Sequence, residues 1–223
     1  MKKISVKNIV TFRNKTEKSQ KTFLNSLGKR NEASLDGGGD YWVRSLSALS
    51  NAVKAKNTEP IKEKITDILN DFKPGMIKQT KDMYERNLSI LHNYEDFNVS
   101  SWLPEDARIL SKNSKKAIID ISNLPVQITP SQVYSFEEKE NNYVGAIWFL
   151  AKLEGFKKEE LGIFAEALHI YMVANFGNNH HVSAKNCLIV DVLNKVEINY
   201  QMIVDEEIPS LLFATLESIK STR

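Results

Sequence analysis

Features that mark particular classes of protein are scarce in this chain of 223 residues. It has 1 cysteine, which excludes an intramolecular disulfide, and no cysteine and histidine spacing fits a zinc module. Its longest apolar run, residues 144–151, is far shorter than the roughly 20 residues of a membrane-spanning helix. No apolar stretch follows the basic start, as a signal peptide would require. We therefore expect a soluble, cytoplasmic protein without a membrane partner.

The overall composition is typical of a globular protein. Hydrophobic residues make up 42% and charged residues 26% of the chain, which argues against wholesale disorder. Lys and Arg number 30 against 28 Asp and Glu, for a net charge of +2. So balanced a total excludes a uniformly basic coat protein and an acidic solvating tail.

The positive charge is concentrated near the amino terminus. Residues 1–35 contain nine Lys or Arg and two Glu, whereas the rest of the chain contains 21 basic and 26 acidic residues. A basic arm on a mildly acidic body indicates an anionic partner, and nucleic acid is the obvious candidate. The alternative is a solvated, Lys-rich tail that aids solubility. The candidate nucleic-acid contacts are Lys15, Lys18, Lys21, Lys29 and Arg30.

The residue patterns predict an α+β fold in three segments. Residues 1–39 are a basic arm that ends in a Gly-rich linker, residues 40–110 a helical unit, and residues 115–223 an α/β-like unit with a mixed sheet flanked by helices. The glycines at 37–39 follow no strand and precede no Lys-Ser/Thr pair, so they predict a linker rather than a phosphate cradle. Apolar stripes at helical spacing predict helices over 15–27, 41–54, 58–72 and 77–94.

The carboxyl-terminal unit shows strand patterns and two further helices. Residues 144–153 are apolar nearly throughout and follow a polar hairpin tip at 137–142, which predicts a central strand buried on both faces. Pro125 favours an edge position for the strand at 124–128. The remaining strands are predicted at 117–121, 132–136, 187–193 and 196–200, and the helices at 157–176 and from about residue 206 to 219.

The order of hairpin, buried strand, helix and further strand resembles the core of the PD-(D/E)XK nuclease superfamily, and most of all its RecB-type branch. In that branch the central strand ends in a lysine and feeds a helix with a Gln-x-x-x-Tyr-like segment. Here the apolar strand ends at Lys152, and Phe-Ala-Glu-Ala-Leu-His-Ile-Tyr at 164–171 lies on the following helix. The resemblance covers residues 117–200. It implies a Mg²⁺ ion held by two carboxylates beside the scissile phosphate.

The catalytic carboxylates of that family are missing at the matching positions. Leu150 stands two residues before the lysine, where the family has Asp or Glu, and residues 133–136 of the preceding strand contain no Asp. Without hard oxygen ligands the cation has no site, so the resemblance implies a degenerate centre. If the protein is a nuclease, the candidate catalytic residues are Lys152, Asp191 and Glu166, with Glu137, Glu138 and Glu154 as further acids.

Other chemistry-bearing residues have simpler explanations. Asp191 lies within an apolar strand, so a buried side chain there must be hydrogen-bonded, paired or metal-bound, and a solvated face is the alternative. Glu166 and His169 have the spacing of di-iron carboxylate helices, but the second copy that such sites need is missing. His180 and His181 are predicted in a loop. Cys187 begins an apolar strand, where burial would suppress thiolate reactivity.

Two functional hypotheses follow. The first is a non-catalytic binding or adaptor protein that engages a macromolecular partner, a protein or a nucleic acid, through its basic arm and uses no cofactor or metal. The second is a metal-dependent nuclease, or a relative of one, that uses Mg²⁺.

Overall fold

The computed structural model describes residues 3–27, 41–111 and 116–222. Over these residues the chain has an α+β fold, with eight α-helices and with eight strands in two sheets. The fold class and the placement of a helical region before a mixed sheet are confirmed. The predicted Gly-rich linker lies outside the described residues.

The basic segment is folded against the rest of the protein. It contains β1 (Ile4–Ser5), α1 (Val6–Arg13) and α2 (Glu17–Leu27), and the side chain of Ser5 caps α1 by accepting a hydrogen bond from the backbone N–H of Asn8 at 3.2 Å. The apolar residues of this segment are spaced to fall on one side, and Ile4, Ile9 and Phe12 are at most 1% exposed. The described part of the arm is therefore a component of the core rather than a solvated tail.

Three helices and a short 3-10 helix follow: α3 (Val43–Ala55), α4 (Glu59–Asp71), α5 (Lys78–Tyr94) and the 3-10 turn Val99–Trp102. Pro60 lies in the first turn of α4, where a missing N–H costs nothing. Ile61, Ile65 and Ile68 form its buried stripe. The helices at 41–54, 58–72 and 77–94 are confirmed within two residues at each end.

A three-stranded sheet has the order β1-β4-β3, with β3 at Ile118–Ile121 and β4 at Leu124–Gln127. The edge position predicted for β4 is wrong, since this strand is central. Ser122 and Asn123 form the two-residue turn with φ of 53° and 61°, and in such a hairpin the Asp120–Pro125 pair is a non-hydrogen-bonded one. The missing N–H of Pro125 therefore breaks no bond to β3.

The larger sheet has the order β2-β5-β6-β7-β8. Within the described part of this larger sheet, β6 and β7 are the only neighbours that pair in parallel, and α6 (Lys158–Phe176) connects them. The central strand is confirmed: β6 has neighbours on both sides and is buried from residue 144 to 150. It ends at Leu150 rather than at 153, and β7 begins at His181, which was predicted in a loop but pairs with Tyr143. The bounds are Arg108–Ile109 for β2, Gln132–Glu138 for β5, Asn141–Leu150 for β6, His181–Asp191 for β7 and Val196–Asn199 for β8.

Alternating residues of β6 serve two cores. Trp148 and Leu150 pack with α1, α2 and α6, whereas Ile147 and Phe149 pack with α3, α4 and α5. The last predicted helix begins later than expected, as α8 (Leu212–Thr222), and a short helix that was not predicted, α7 (Gln201–Val204), precedes it. Glu206, with a φ of 60°, and Pro209 oppose a helical start at residue 206. Among the described residues, no helix is both long enough and apolar enough to cross a membrane.

Candidate functional site

Lys152 lies just beyond the end of β6 and is held by an ion pair. Its ammonium lies 3.7 Å from Oε2 of Glu160 in the first turn of α6, and 5.3 Å from the centroid of the Phe156 ring. Glu160 is buried, and it also accepts hydrogen bonds from the backbone N–H of Lys157 at 2.9 Å and from the side-chain amide of Asn14. The carboxylate satisfies the amino-terminal end of α6. The lysine thus belongs to a network that joins β6, α6 and α1.

Asp191 is fully buried at the end of β7, and its carboxylate is fully hydrogen-bonded. Oδ1 accepts from the backbone N–H groups of Leu193 at 3.2 Å and Asn194 at 3.4 Å. Oδ2 accepts from the backbone N–H of Phe156 at 3.1 Å and from the side-chain amide of Asn194 at 2.9 Å. Four donors occupy the lone-pair sites of a carboxylate. Asp191 therefore fixes the turn after β7 against the turn that follows β6.

Glu166 caps the last helix. Its Oε2 accepts from the backbone N–H groups of Leu211 at 3.0 Å and Leu212 at 2.8 Å, and its Oε1 accepts from the hydroxyl of Ser210. These are donors that the start of a helix leaves unsatisfied. One turn further along α6, His169 stacks on Tyr200 with ring centroids 4.0 Å apart, and burial lowers the pKa of this histidine.

Asp191, Glu166 and Glu137, three of the acids considered for Mg²⁺, do not fit a metal site. Both oxygens of Asp191 and of Glu166 are engaged by donors of the protein itself. Glu137 lies beside Asn142 in the β5–β6 pairing, and Asn142 is eight residues before Leu150. At 3.3 Å per residue, Glu137 is therefore roughly 26 Å from the end of β6 near Lys152. Nowhere in the described ranges do three or more His, Cys, Asp or Glu side chains come together as a metal ion requires.

A basic groove lies between α1 and α2. It has a volume of about 680 Å³ and is lined by two of the predicted contact residues, Lys15 and Lys18. Lys21 is exposed on the next turn of α2, and the ammonium of Lys15 lies 5.2 Å from the centroid of the Phe23 ring. Lys29 and Arg30 lie outside the described residues. The full lining of the basic groove is Asn8, Thr11, Lys15, Lys18, Ser19, Thr22, Phe23 and Ser26.

The charge of this groove is not neutralised within the described part of the chain. Residues 3–27 contain six Lys or Arg and a single acid, Glu17. Lys15, Lys18 and Lys21 form no ion pair with any residue that the structure describes. Three lysines of the helical unit differ, since each has an acidic partner: Lys62 with Asp96 at 3.7 Å, Lys64 with Asp67 at 2.6 Å, and Lys81 with Glu85 at 3.6 Å.

A second concavity, the indole cleft, lies beyond the carboxyl end of β6. Its volume is about 340 Å³, and Trp42 and Trp148 contribute to its wall. Among the residues that the structure describes, Lys7 is the one charged residue in the lining, and no acid is present. The lining residues are Ser5, Val6, Lys7, Trp42, Leu46, Gln127, Thr129, Ser131, Trp148, Phe149, Leu150, Ala151, Phe156 and Phe164.

Comparisons with models of known protein families, with curated proteins and with solved structures found no match for this chain.

Sequence reasoning missed two parts of this region. Glu160 is at the third position of a strong helix pattern, where a glutamate can accept from the backbone N–H of the preceding cap residue, here Lys157. The indole cleft had no such signal, because its walls come from segments as far apart in sequence as Ser5 and Phe164, which only the fold brings together.

Proposed function

We propose that this chain is a non-catalytic binding protein whose basic groove takes the backbone of a nucleic acid. The observation that carries the proposal is the set of lysines at 15, 18 and 21, which have no acidic partner among the described residues. Phosphates attract such cations, and the counterions they release supply most of the affinity of nonspecific nucleic-acid binding.

The uncharged side chains of the groove support the same partner. Asn8, Ser19 and Thr22 offer amide and hydroxyl donors beside the lysines, whereas the hydroxyl of Thr11 donates to the backbone carbonyl of Lys7 at 2.9 Å. Ser, Thr and Asn side chains are common phosphate ligands that fix register on a backbone without reading sequence. An acidic protein would also be attracted to lysines, but a groove of hydroxyls and ammonium groups matches phosphate oxygens in particular.

A titration of fluorescently labelled oligonucleotides, followed by anisotropy at about 0.1 M salt, tests the proposal. Deleting the basic segment is unsuitable because it would remove Ile4, Ile9 and Phe12 from the core. The informative variant is Lys15→Gln/Lys18→Gln/Lys21→Gln. Its matched control is Lys62→Gln/Lys64→Gln/Lys81→Gln, which removes the same charge from lysines that have acidic partners.

The first variant should bind at least tenfold more weakly, because each phosphate contact contributes about this much at 0.1 M salt, and the control should bind like the unmodified protein. Equal affinity of the two variants, or no affinity of the unmodified protein for single or double strands, would contradict the proposal.

The second candidate function is that of a nuclease or a relative of one. The arrangement that favours it is the hairpin of β5 and β6 followed by α6 and the parallel strand β7, since this order resembles the PD-(D/E)XK core. The hydrogen bonds that occupy Asp191 and Glu166 put this candidate second. Cleavage of single- or double-stranded DNA in the presence of Mg²⁺ or Mn²⁺, abolished by Lys152→Ala, would reverse the order.

A further inference from the structure

The indole cleft has the position and size of a ligand site. It lies at the carboxyl end of β6, one of the two parallel strands, and ligands of open α/β sheets bind at such ends. Its volume of about 340 Å³ is within the range of small-molecule sites.

The two indoles in its wall have N–H groups that donate no hydrogen bond to any residue the structure describes. Trp42 is 8% and Trp148 9% exposed, and neither indole N–H donates to an acceptor in the described ranges. The sole buried side-chain nitrogen or oxygen without a partner in those ranges is Nδ1 of His180, so both indole nitrogens reach solvent. Trp102 differs, because its indole N–H donates to Glu197 at 2.7 Å and its ring lies among other aromatic rings.

The charge of the cleft selects the class of ligand. Lys7 is exposed, and no carboxylate lines the cleft within the described ranges. Ser5, Val6 and Lys7 are the first residues at the start of α1, so the positive end of the helix dipole also lies at the cleft. A cation is therefore disfavoured. Large aromatic rings with free donors, next to an ammonium group, suit a flat heteroaromatic ring that carries an anionic group.

We propose that the indole cleft binds one nucleotide unit, with its base against the indoles of Trp42 and Trp148 and its phosphate at Lys7. This inference rests on the proposed function and specifies it, because Lys7 of the cleft and Asn8 of the basic groove are consecutive residues of α1. A strand whose backbone follows the groove thus has a base pocket at one end. Bases that can enter such a pocket are unstacked, so single strands are the preferred nucleic acid. A free mononucleotide is the other source of the same chemistry.

Tryptophan fluorescence can report on the cleft directly, because the chain has 3 tryptophans and two of them line it. The probes are adenosine monophosphate, a single-stranded oligonucleotide and its duplex, each added to the full chain. Quenching should occur with the single strand over the same concentration range as the anisotropy change. Trp148→Phe should remove a large part of the quenching, whereas Trp102→Phe should keep it.

A second variant avoids the core. Thr129 is exposed at the cleft, so Thr129→Glu places a carboxylate beside the phosphate position without disturbing the fold. The carboxylate should repel the phosphate and so keep the attached base out of the cleft. Single-strand binding should therefore weaken by about fivefold or more, the loss that follows when one base no longer stacks. The control Thr66→Glu, at an exposed position of α4, should bind normally.

The outcomes separate the two proposals. Quenching by the mononucleotide alone keeps the nucleotide site and assigns it to a free ligand, with loss of the proposed nucleic-acid function. Anisotropy changes that depend on Lys15, Lys18 and Lys21 but come without quenching by any probe overturn the cleft proposal and leave the proposed function intact. Equal binding by the Thr129→Glu variant and the unmodified protein overturns the cleft proposal as well.

Discussion

Replacement of Asp191 by alanine removes one acceptor that serves four donors. Three of these donors are backbone N–H groups, of Phe156, Leu193 and Asn194, and the fourth is the amide of Asn194. A buried donor left without a partner costs about 1–3 kcal/mol. Because Asn194 is exposed and Phe156 and Leu193 are half-buried, water can reach part of the vacated site. We therefore expect Asp191→Ala to lower the free energy of unfolding by about 3–5 kcal/mol, a large share of the 5–15 kcal/mol typical of a domain.

Urea unfolding monitored by tryptophan fluorescence measures this loss. The matched control is Asp120→Ala, which removes an exposed carboxylate with a single hydrogen bond, from the backbone N–H of Asn123 at 3.0 Å. We expect that control to lose about 1 kcal/mol or less. A loss below about 1 kcal/mol for Asp191→Ala, or one equal to that of the control, would refute a structural role for Asp191 and favour a chemical one.

Three further predictions concern single side chains. Glu166→Gln keeps the size of the cap but removes its charge from the start of α8, so urea unfolding should show a loss of about 1 kcal/mol, and an unchanged midpoint would contradict the capping role. Gly145→Ala places a Cβ 2.7 Å from Cβ of Asn186 and 2.8 Å from the Tyr134 ring, so the same assay should show a loss of about 1–3 kcal/mol, and full stability would disprove that tight contact. Burial lowers the pKa of His169 in the folded protein below 6.5, the value expected in the unfolded chain. Between the folded-state pKa and 6.5 the unfolded chain binds more protons, so stability decreases as the pH falls through this range. His169→Phe, which keeps a ring against Tyr200, should flatten this part of the pH–stability curve, and an unchanged slope would contradict it.

The fold was predictable where the signal was local and strong. The apolar run that forms β6 and the apolar stripe of α4 are patterns whose period matches their final structure, whereas α6 is buried on all sides from Glu160 to Leu168. Departures arose where tertiary structure decided the outcome. Two residues at the very start of the chain, Ile4 and Ser5, pair with β4 and turn a predicted edge strand into a central one. The helix predicted from about residue 206 begins only at Leu212, because Pro209 and the left-handed conformation at Glu206 oppose an earlier start.

The candidate site was predictable only in its members and not in their contacts. Asp191 could be identified as unusual because a carboxylate in an apolar strand needs partners. Its partner Phe156 lies 35 residues away, and Asn14 lies 146 residues from Glu160. No periodicity encodes such pairs, because they depend on how the turn after β6 meets the turn after β7. The lysines of α2 are different, since their charge was visible in the composition of the first 35 residues.

The dependence of nucleic-acid affinity on salt tests the central claim most directly. For a double strand, the logarithm of the binding constant falls against the logarithm of salt concentration with a slope of about −0.9 for each phosphate contacted. Replacement of Lys15, Lys18 and Lys21 by glutamine should therefore reduce the steepness by about 2 to 3, whereas replacement of Lys62, Lys64 and Lys81 should leave it unchanged. Parallel lines for all three proteins would contradict the assignment of the basic groove as the nucleic-acid contact.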